Sequence, residues 1–243
     1  MSAFDTPIIV TRAEPGAGET VQRLQALGCT VLRAPALTLF EKSDTRLLPE
    51  NEISGLVFTS ANGVRAYAAR RDDREVAAWC VGPATAEAAK LAGFNTIHES
   101  AGNAVDLAHF IAAARAPSNA PLLHVANAAA AGNLKRELET LGFSVAFTPL
   151  YEMRPATRLP DVVLEHLKRE LSVIVLTHSA KGAEAFANLI EGRPFKTAAL
   201  VAISEPASAP LTERAPNQTF IADAPNEDGL LRALKRALAT LSA

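Results

Sequence analysis

One strand-turn-helix pattern occurs twice in the chain, and it constrains the possible folds more than any other feature. Residues 56–67, L-V-F-T-S-A-N-G-V-R-A-Y, begin with β-forming apolar residues, turn through small polar ones and continue with apolar residues at helical spacing. A weaker copy, residues 176–186, lies 119 positions later. Such a junction directs hydroxyls and free backbone N–H groups out of the carboxyl end of a sheet, where the helix dipole favours an anion.

Further matches between the two halves indicate a duplication. With an offset of 114 positions, residues 27–37 overlay residues 141–151 and share Leu, Gly, Val and Pro. Strands and helices alternate through both halves, which predicts doubly wound parallel α/β sheets. A chain of 243 residues has room for two such domains. Because ligands of these sheets lie outside the carboxyl ends of the strands, we expect the two sheets to share a cleft.

The composition is that of a globular protein that binds neither nucleic acid nor a membrane. The net charge is −2, with 49% hydrophobic and 5% aromatic residues. The chain has no basic block or aromatic platform for nucleic acid, and no apolar run of about 18 residues for a membrane span. The amino terminus lacks the pattern of a secretory signal, which predicts a cytoplasmic protein. Cys29 and Cys80 lie in apolar strand-like segments and are expected to be buried thiols.

The familiar catalytic and cofactor motifs do not occur in the sequence. It contains no G-x-G-x-x-G, G-x-x-x-x-G-K-S, H-E-x-x-H, C-x-x-C or G-x-S-x-G, so it gives no support to nucleotide, zinc or serine-hydrolase functions. The five histidines are scattered without ligand spacing, and we expect no metal site.

What the sequence offers instead is a set of strand-to-helix turns rich in small and hydroxylated residues. Helix capping alone, worth about 1 kcal/mol, explains any one such turn. Several in one chain, all at predicted carboxyl ends, favour collective binding of carboxylates or phosphates by amides and hydroxyls. The candidate binding residues are Thr11, Arg12, Thr59, Ser60, Ala61, Asn62, Gly82, Thr85, Asn103, Asn127, His178, Ser179, Ala180 and Ser204.

Five short patterns follow one another along the chain. They are V-T-R at 10–12, F-T-S-A-N-G-V at 58–64, V-G-P-A-T-A-E-A-A at 81–89, L-A-G-F at 91–94 and L-Y-E-x-R-P at 150–155. No one of them is diagnostic, but in this order over the whole chain they resemble the uroporphyrinogen-III synthase family.

The resemblance implies two flavodoxin-like α/β domains joined by a two-stranded connector, with a cleft between them. Applied to this chain, residues 1–36 and 157–243 form one discontinuous domain, and residues 42–148 form the other. The connectors are residues 37–41 and 149–156. These connectors contain parts of the repeat-related extended segments, which agrees with the duplication.

The resemblance also implies a reaction in porphyrin biosynthesis. The substrate is hydroxymethylbilane, a linear tetrapyrrole with eight carboxylate side chains, and a hydro-lyase cyclises it to uroporphyrinogen III with inversion of ring D and loss of water. No cofactor is implied. We expect a monomer whose partner is this small molecule and which contacts the preceding pathway enzyme only transiently.

Individual residues match positions of the family. Tyr151 matches the tyrosine of the second connector and is the candidate acid for the leaving hydroxyl; the alternative is an aromatic ring that covers a domain junction. Thr85 and Ser60 match positions that we expect to bind substrate. Arg12 is either a partner of a substrate carboxylate or a solvated loop arginine.

The second half departs from the family pattern. Where the family has a basic R-G-x-x-G-R type of turn, residues 126–133 read A-N-A-A-A-A-G-N. The second copies of two other turns read T-H-S-A-K-G at 177–182 and I-S-E-P-A-S at 203–208. The roles of the missing arginine and of the second threonine are therefore not carried over, and Ser204 or Ser208 is the substitute for the threonine.

Two other interpretations remain open at this point. Two α/β lobes around a cleft are also the design of a small-anion binding protein, and the altered second-half turns would suit an inactive family member. The fold cannot separate these from an enzyme, whereas the isomer formed from the bilane can.

Overall fold

The computed structural model describes residues 6–14, 16–130, 133–193, 197–212 and 218–242. It divides into two compact units: unit 1 is Met1–Leu39 with Arg154–Ala243, and unit 2 is Phe40–Met153. Each of the predicted connectors, 37–41 and 149–156, contains one of the two boundaries. Residues 131 and 132 of the altered turn at 126–133 lie outside the described residues.

The strands and helices alternate along the chain. The strands are β1 (Ile8–Val10), β2 (Val31–Arg33), β3 (Leu37–Glu41), β4 (Gly55–Phe58), β5 (Ala78–Cys80), β6 (Ile97–Glu99), β7 (Leu122–Asn127), β8 (Val145–Pro155), β9 (Val173–Thr177), β10 (Thr197–Ala202) and β11 (Thr219–Ile221). The helices are α1 (Gly16–Ala26), α2 (Ala61–Ala68), α3 (Pro83–Leu91), α4 (Ala104–Ala114), α5 (Asn133–Thr140), α6 (Asp161–Lys168), α7 (Ala180–Leu189), α8 (Glu205–Thr212) and α9 (Glu227–Ser242).

Unit 1 is built on a parallel sheet with the strand order β11-β10-β9-β1-β2. Successive side chains of a strand point to opposite faces, and in β1 Ile8 and Val10 pack on one face while Ile9 packs on the other. The first face is covered by α1 and α9, and the second by α6, α7 and α8. Helices on both faces of a parallel sheet make this unit doubly wound.

Unit 2 has the strand order β3-β8-β7-β4-β5-β6, and the strands from β4 to β8 pair in parallel. In β4, Leu56 and Phe58 pack with α2 and α3, whereas Val57 packs with α4 and α5. This unit is therefore also doubly wound. The predicted fold class, two doubly wound parallel α/β domains, is confirmed; the shared cleft stays a prediction.

The strands β3 and β8 form the two-stranded segment at the boundary between the units. They are neighbours in the sheet, and hydrogen bonds join Lys42 N–H to the Leu150 carbonyl and Ala156 N–H to the Ala36 carbonyl, at 2.8 and 2.9 Å. Residue numbers increase along β3 where those of the paired residues in β8 decrease, so the two strands run antiparallel.

Helix α8 overlaps the turn predicted at residues 203–208, and it contains two prolines, Pro206 and Pro210. Pro206 lies in the first turn, where its missing N–H costs no helical hydrogen bond. The N–H that Pro210 lacks is the one that would have bonded to the Pro206 carbonyl. A short helix therefore forms around two prolines.

The two cysteines are free and buried, as predicted. In the described part of the chain, no helix is long and apolar enough to cross a lipid bilayer.

Candidate functional site

The duplicated turn has the same geometry in both units. Ser60 caps α2 by accepting a hydrogen bond from Gly63 N–H at 3.2 Å, and Ser179 caps α7 by accepting one from Gly182 N–H at 3.1 Å. Both serines are extended, with φ, ψ of −163°, 155° and −167°, 154°. The first N–H groups of a helix have no partner within the helix, so those of Ala61 and Ala180, directly after each serine, are candidates for binding an anion.

In unit 2, the parallel pairing brings the predicted turns to one edge of the sheet. The strands β4, β5, β6 and β7 run in the same direction, so the turns that follow them leave from their common carboxyl edge. The residues gathered along this edge are Thr59, Ser60, Gly82, Ser100 and Asn127.

A bulge in β8 adds Tyr151 to the same edge. The register of β7 with β8 shifts after Ala126, which faces Pro149, so that Asn127 faces Tyr151. A proline in a strand is accommodated at such an irregularity because it has no N–H for the ladder. The Tyr151 hydroxyl then lies 2.7 Å from Ser60 Oγ.

The Tyr151 hydroxyl lies in a buried polar pair. The side chain is 4% exposed. Burial raises the pKa of the hydroxyl, while the hydrogen bonds with Ser60 and with the backbone of Asn127 lower it, and the net pKa is raised. Tyr151 therefore keeps its proton in the resting protein, and two neighbouring groups stand ready to stabilise the phenolate once the proton is given away.

A buried histidine, which sequence reasoning did not select, contacts the turn next to Ser60. His124 on β7 is 3% exposed, and its Nε2 lies 3.4 Å from Thr59 Oγ1. Burial lowers the pKa of His124 to about 4. The ring is therefore neutral at pH 7 and positions the Thr59 hydroxyl without adding charge. Its position inside an apolar strand gave no functional signal in the sequence.

We expect the stability of the protein to fall as the pH drops from 7 to 5.5, because of His124. The folded state holds this side chain neutral down to a pKa of about 4, whereas the unfolded chain takes up a proton near pH 6.5. Between pH 6.5 and 4 the unfolded state therefore binds more protons than the folded state. The free energy of unfolding falls as the pH drops through this range. Urea unfolding should show that His124 accounts for about 1 kcal/mol of the difference in the free energy of unfolding between pH 7 and pH 5.5.

The variant His124→Gln should lose this part of the pH dependence. His109→Gln, on the exposed face of α4, is the matched control and should retain it. An unchanged pH dependence in His124→Gln would show that His124 does not cause it.

The other predicted residues of unit 2 differ in how open they are to a ligand. Asn103 caps α4 by accepting from Asp106 N–H at 2.9 Å, and its amide donates to the Asp106 carboxylate at 2.5 Å, so this turn already holds a carboxylate. Thr85 is 4% exposed, in the first turn of α3. Asn62 accepts a hydrogen bond from Arg65 at 3.4 Å, which places a cation beside the Ser60 turn.

In unit 1, the residues predicted from β1 and β9 meet at the corresponding edge of the sheet. Thr11 is 2% exposed, and its hydroxyl donates to the Leu176 carbonyl at 2.7 Å. The Arg12 guanidinium donates to Glu227 Oε2 at 3.0 Å, and His178 Nε2 lies 3.3 Å from the same oxygen. The chain's own Glu227 therefore partners two of the residues that we predicted to bind substrate.

Glu227 and Thr20 are the functional-site residues of unit 1 that sequence reasoning missed. The Thr20 hydroxyl donates to Glu227 Oε1 at 2.8 Å. Burial raises the pKa of the Glu227 carboxyl, but hydrogen bonds and charge from His178, Thr20 and Arg12 outweigh it and lower the net pKa. An acidic residue at a helix start is common, so the sequence held no specific signal for Glu227.

After β10, the structure distinguishes between the two candidate serines. Ser208 is 6% exposed and its hydroxyl donates to the Glu205 carbonyl at 2.9 Å. Ser204 precedes α8, and its carbonyl accepts the first helical hydrogen bonds. Ser204 is therefore the better placed of the two for a ligand.

Among the described residues, no group of three or more His, Cys, Asp and Glu side chains could hold a metal ion. The groups that the two edges do offer are backbone amides, hydroxyls and the Tyr151 phenol, with two histidines, His124 and His178, and with Arg12 paired to a carboxylate.

The fold and these edges define a class: a two-unit doubly wound α/β protein with hydroxyl-rich turns at the carboxyl ends of its parallel strands. A family model described as uroporphyrinogen-III synthase HemD matches residues 18–232. The chain belongs to the uroporphyrinogen-III synthase family. This match confirms the function predicted from the sequence, in tetrapyrrole biosynthesis, and with it a tetrapyrrole as the class of substrate.

Solved structures agree with the fold. Uroporphyrinogen-III synthetase from Helicobacter pylori is similar with a TM-score of 0.62 and 14% identity, over 95% of this chain and 99% of that chain. A mutant uroporphyrinogen III synthase from Thermus thermophilus has a TM-score of 0.51 and 15% identity, over 97% and 99% of the two chains. No curated protein sequence matches significantly.

Proposed function

We propose that the chain is an active lyase that cyclises hydroxymethylbilane to uroporphyrinogen III, with inversion of ring D and loss of water. The observation that carries this proposal is the Tyr151 hydroxyl, 2.7 Å from Ser60 Oγ at the carboxyl edge of unit 2. It places a protonated acid beside the free N–H groups at the start of α2, so that proton donation and carboxylate binding are available at one place.

In the first step, Tyr151 donates its proton to the terminal hydroxyl of the bilane, and the C–O bond breaks to release water. The Ser60 hydroxyl and the Asn127 N–H then stabilise the phenolate. Loss of hydroxide as water leaves a cation on the bilane, which the negative charge of the new phenolate stabilises. Ring closure later releases a proton, which restores the phenol.

The remaining work of the site is to select one ring closure over another. The bilane also closes spontaneously without inversion, so the protein has to hold the chain curled in the less accessible geometry. Carboxylate arms bound at several rigid turns fix that geometry and reduce the entropy lost in the reaction. In unit 2, the start of α2 is such a turn, since Ser60 is held by a hydrogen bond from Gly63 N–H.

The test is an assay of the product isomer. Purified protein is supplied with hydroxymethylbilane that is generated in place, the product is oxidised to porphyrin, and the isomers are separated by liquid chromatography. We expect type III porphyrin with the protein and type I without it. Type I alone in both samples would contradict the proposal and favour the binding protein or the inactive family member.

A further inference from the structure

Three side chains of unit 1 surround the carboxylate of Glu227 as they would surround a ligand. Thr20 donates to one oxygen at 2.8 Å, and Arg12 and His178 contact the other at 3.0 and 3.3 Å. Arg12 Nη1 also donates to Thr20 Oγ1 at 3.3 Å, which ties the donors together. A charged donor, a hydroxyl and an imidazole N–H together satisfy both oxygens of a carboxylate.

The position of the Arg12 guanidinium depends on a glycine. A Cβ added at Gly16 would lie 2.4 Å from Arg12 Nε and 2.6 Å from its Cζ, closer than van der Waals contact allows. The guanidinium therefore packs directly against the start of α1, and a larger residue at position 16 would push it out of this position.

The cluster is shielded but not closed. The side chain of His178 is 9% exposed, and its Nδ1 is buried without a hydrogen-bond partner among the described residues. The side chains of Glu227 and Arg12 are 19% and 33% exposed. The donors are thus partly dehydrated, which strengthens their interaction with an anion, while the carboxylate remains accessible from solvent.

We propose that Arg12, Thr20 and His178 form a carboxylate-binding subsite, that Glu227 fills it in the free protein, and that an external carboxylate takes the place of Glu227. Glu227 is the first residue of α9, so rotation about its side-chain bonds removes the carboxylate without moving the helix. In the part that concerns the bilane, the inference rests on the proposed function.

A single small carboxylate would compete poorly with Glu227, because the resident group is attached to the protein and has a high effective concentration. A bilane that other turns already bind also presents each of its remaining carboxylate arms at a high effective concentration. The subsite therefore discriminates between one free carboxylate and a molecule that carries several.

The first experiment removes the resident and supplies acetate. Glu227→Ala should be less stable than the wild type, and sodium acetate should restore its melting temperature in a saturable way, by about 3 °C or more at 0.1 M. Sodium chloride at equal ionic strength should not. If the variant has no cooperative melting transition, the same titration is followed by recovery of helical circular dichroism.

Glu227→Gln is the matched control, since its amide fills the space of the carboxylate and leaves no room for acetate. Neither this variant nor the wild type should respond. An equal response to acetate and chloride in Glu227→Ala, or no response, would overturn the inference. This experiment needs no catalytic activity, so it separates the subsite from the proposed function.

The second experiment measures the KM for hydroxymethylbilane. Removal of the competing carboxylate should lower the KM of Glu227→Ala below that of the wild type, and acetate should raise it again in the variant only. A purely structural Glu227 would leave the KM unchanged or raise it, and that result would overturn the displacement by substrate.

Discussion

Replacing Tyr151 by Phe is expected to lower kcat about 100-fold, because the substitution removes the proton donor and leaves the ring in place. General acid catalysis contributes about 10²- to 10⁴-fold, and the lower end applies because the bilane also closes without the protein. The KM should change by less than about threefold, since the hydroxyl acts on the leaving group rather than on the carboxylate arms. Steady-state rates of type III formation check both values.

Tyr67 provides the matched control, because it is the other of the chain's two tyrosines. It lies on α2, is 1% exposed, and packs edge-on against Phe58 with ring centroids 6.0 Å apart. Tyr67→Phe also removes a phenolic hydroxyl from unit 2, but from a ring that packs in the core between α2 and β4. Its kcat should equal that of the wild type. If Tyr151→Phe has the kcat of the wild type, Tyr151 is not the acid and its ring serves only in packing.

The fold could be predicted from the sequence because the local signals for strands, turns and helix ends agree with the elements that the fold contains. Gly28 and Gly142 end comparable segments in the two halves, and both adopt positive φ, at 79° and 88°, where glycine has no steric cost. The serines of the duplicated turn are also local signals.

The site could be predicted only in part, because its contacts join distant positions. Ser60 and Tyr151 were both selected as single residues, but their hydrogen bond depends on a shift of register in β8. The contact of Arg12 with Glu227 spans 215 positions. A solvated loop arginine and an acidic helix start are ordinary features, so neither sequence segment indicates the other.

Gly63→Ala is expected to destabilise the protein by about 1–2 kcal/mol, because α2 crosses β7 at close range there. An added Cβ would lie 2.7 Å from the carbonyl oxygen of Val125, a backbone atom of a buried strand that cannot move away alone. Overpacking of this kind costs about 1–3 kcal/mol, which exceeds the gain of up to about 1 kcal/mol from alanine in a helix. Urea unfolding measures the difference.

The equivalent glycine of the second copy separates steric overlap from the loss of a glycine as such. In Gly182→Ala the nearest atom to the new Cβ is Ser179 Oγ at 3.0 Å, a side-chain atom that has to shift by only a few tenths of an ångström, so we expect a change below about 1 kcal/mol. Equal losses in the two variants would contradict the steric argument.

In Gly63→Ala the start of α2 must also withdraw from β7, which carries Ser60 away from Tyr151. The rate of type III formation should therefore fall more in Gly63→Ala than in Gly182→Ala, even where both proteins are fully folded.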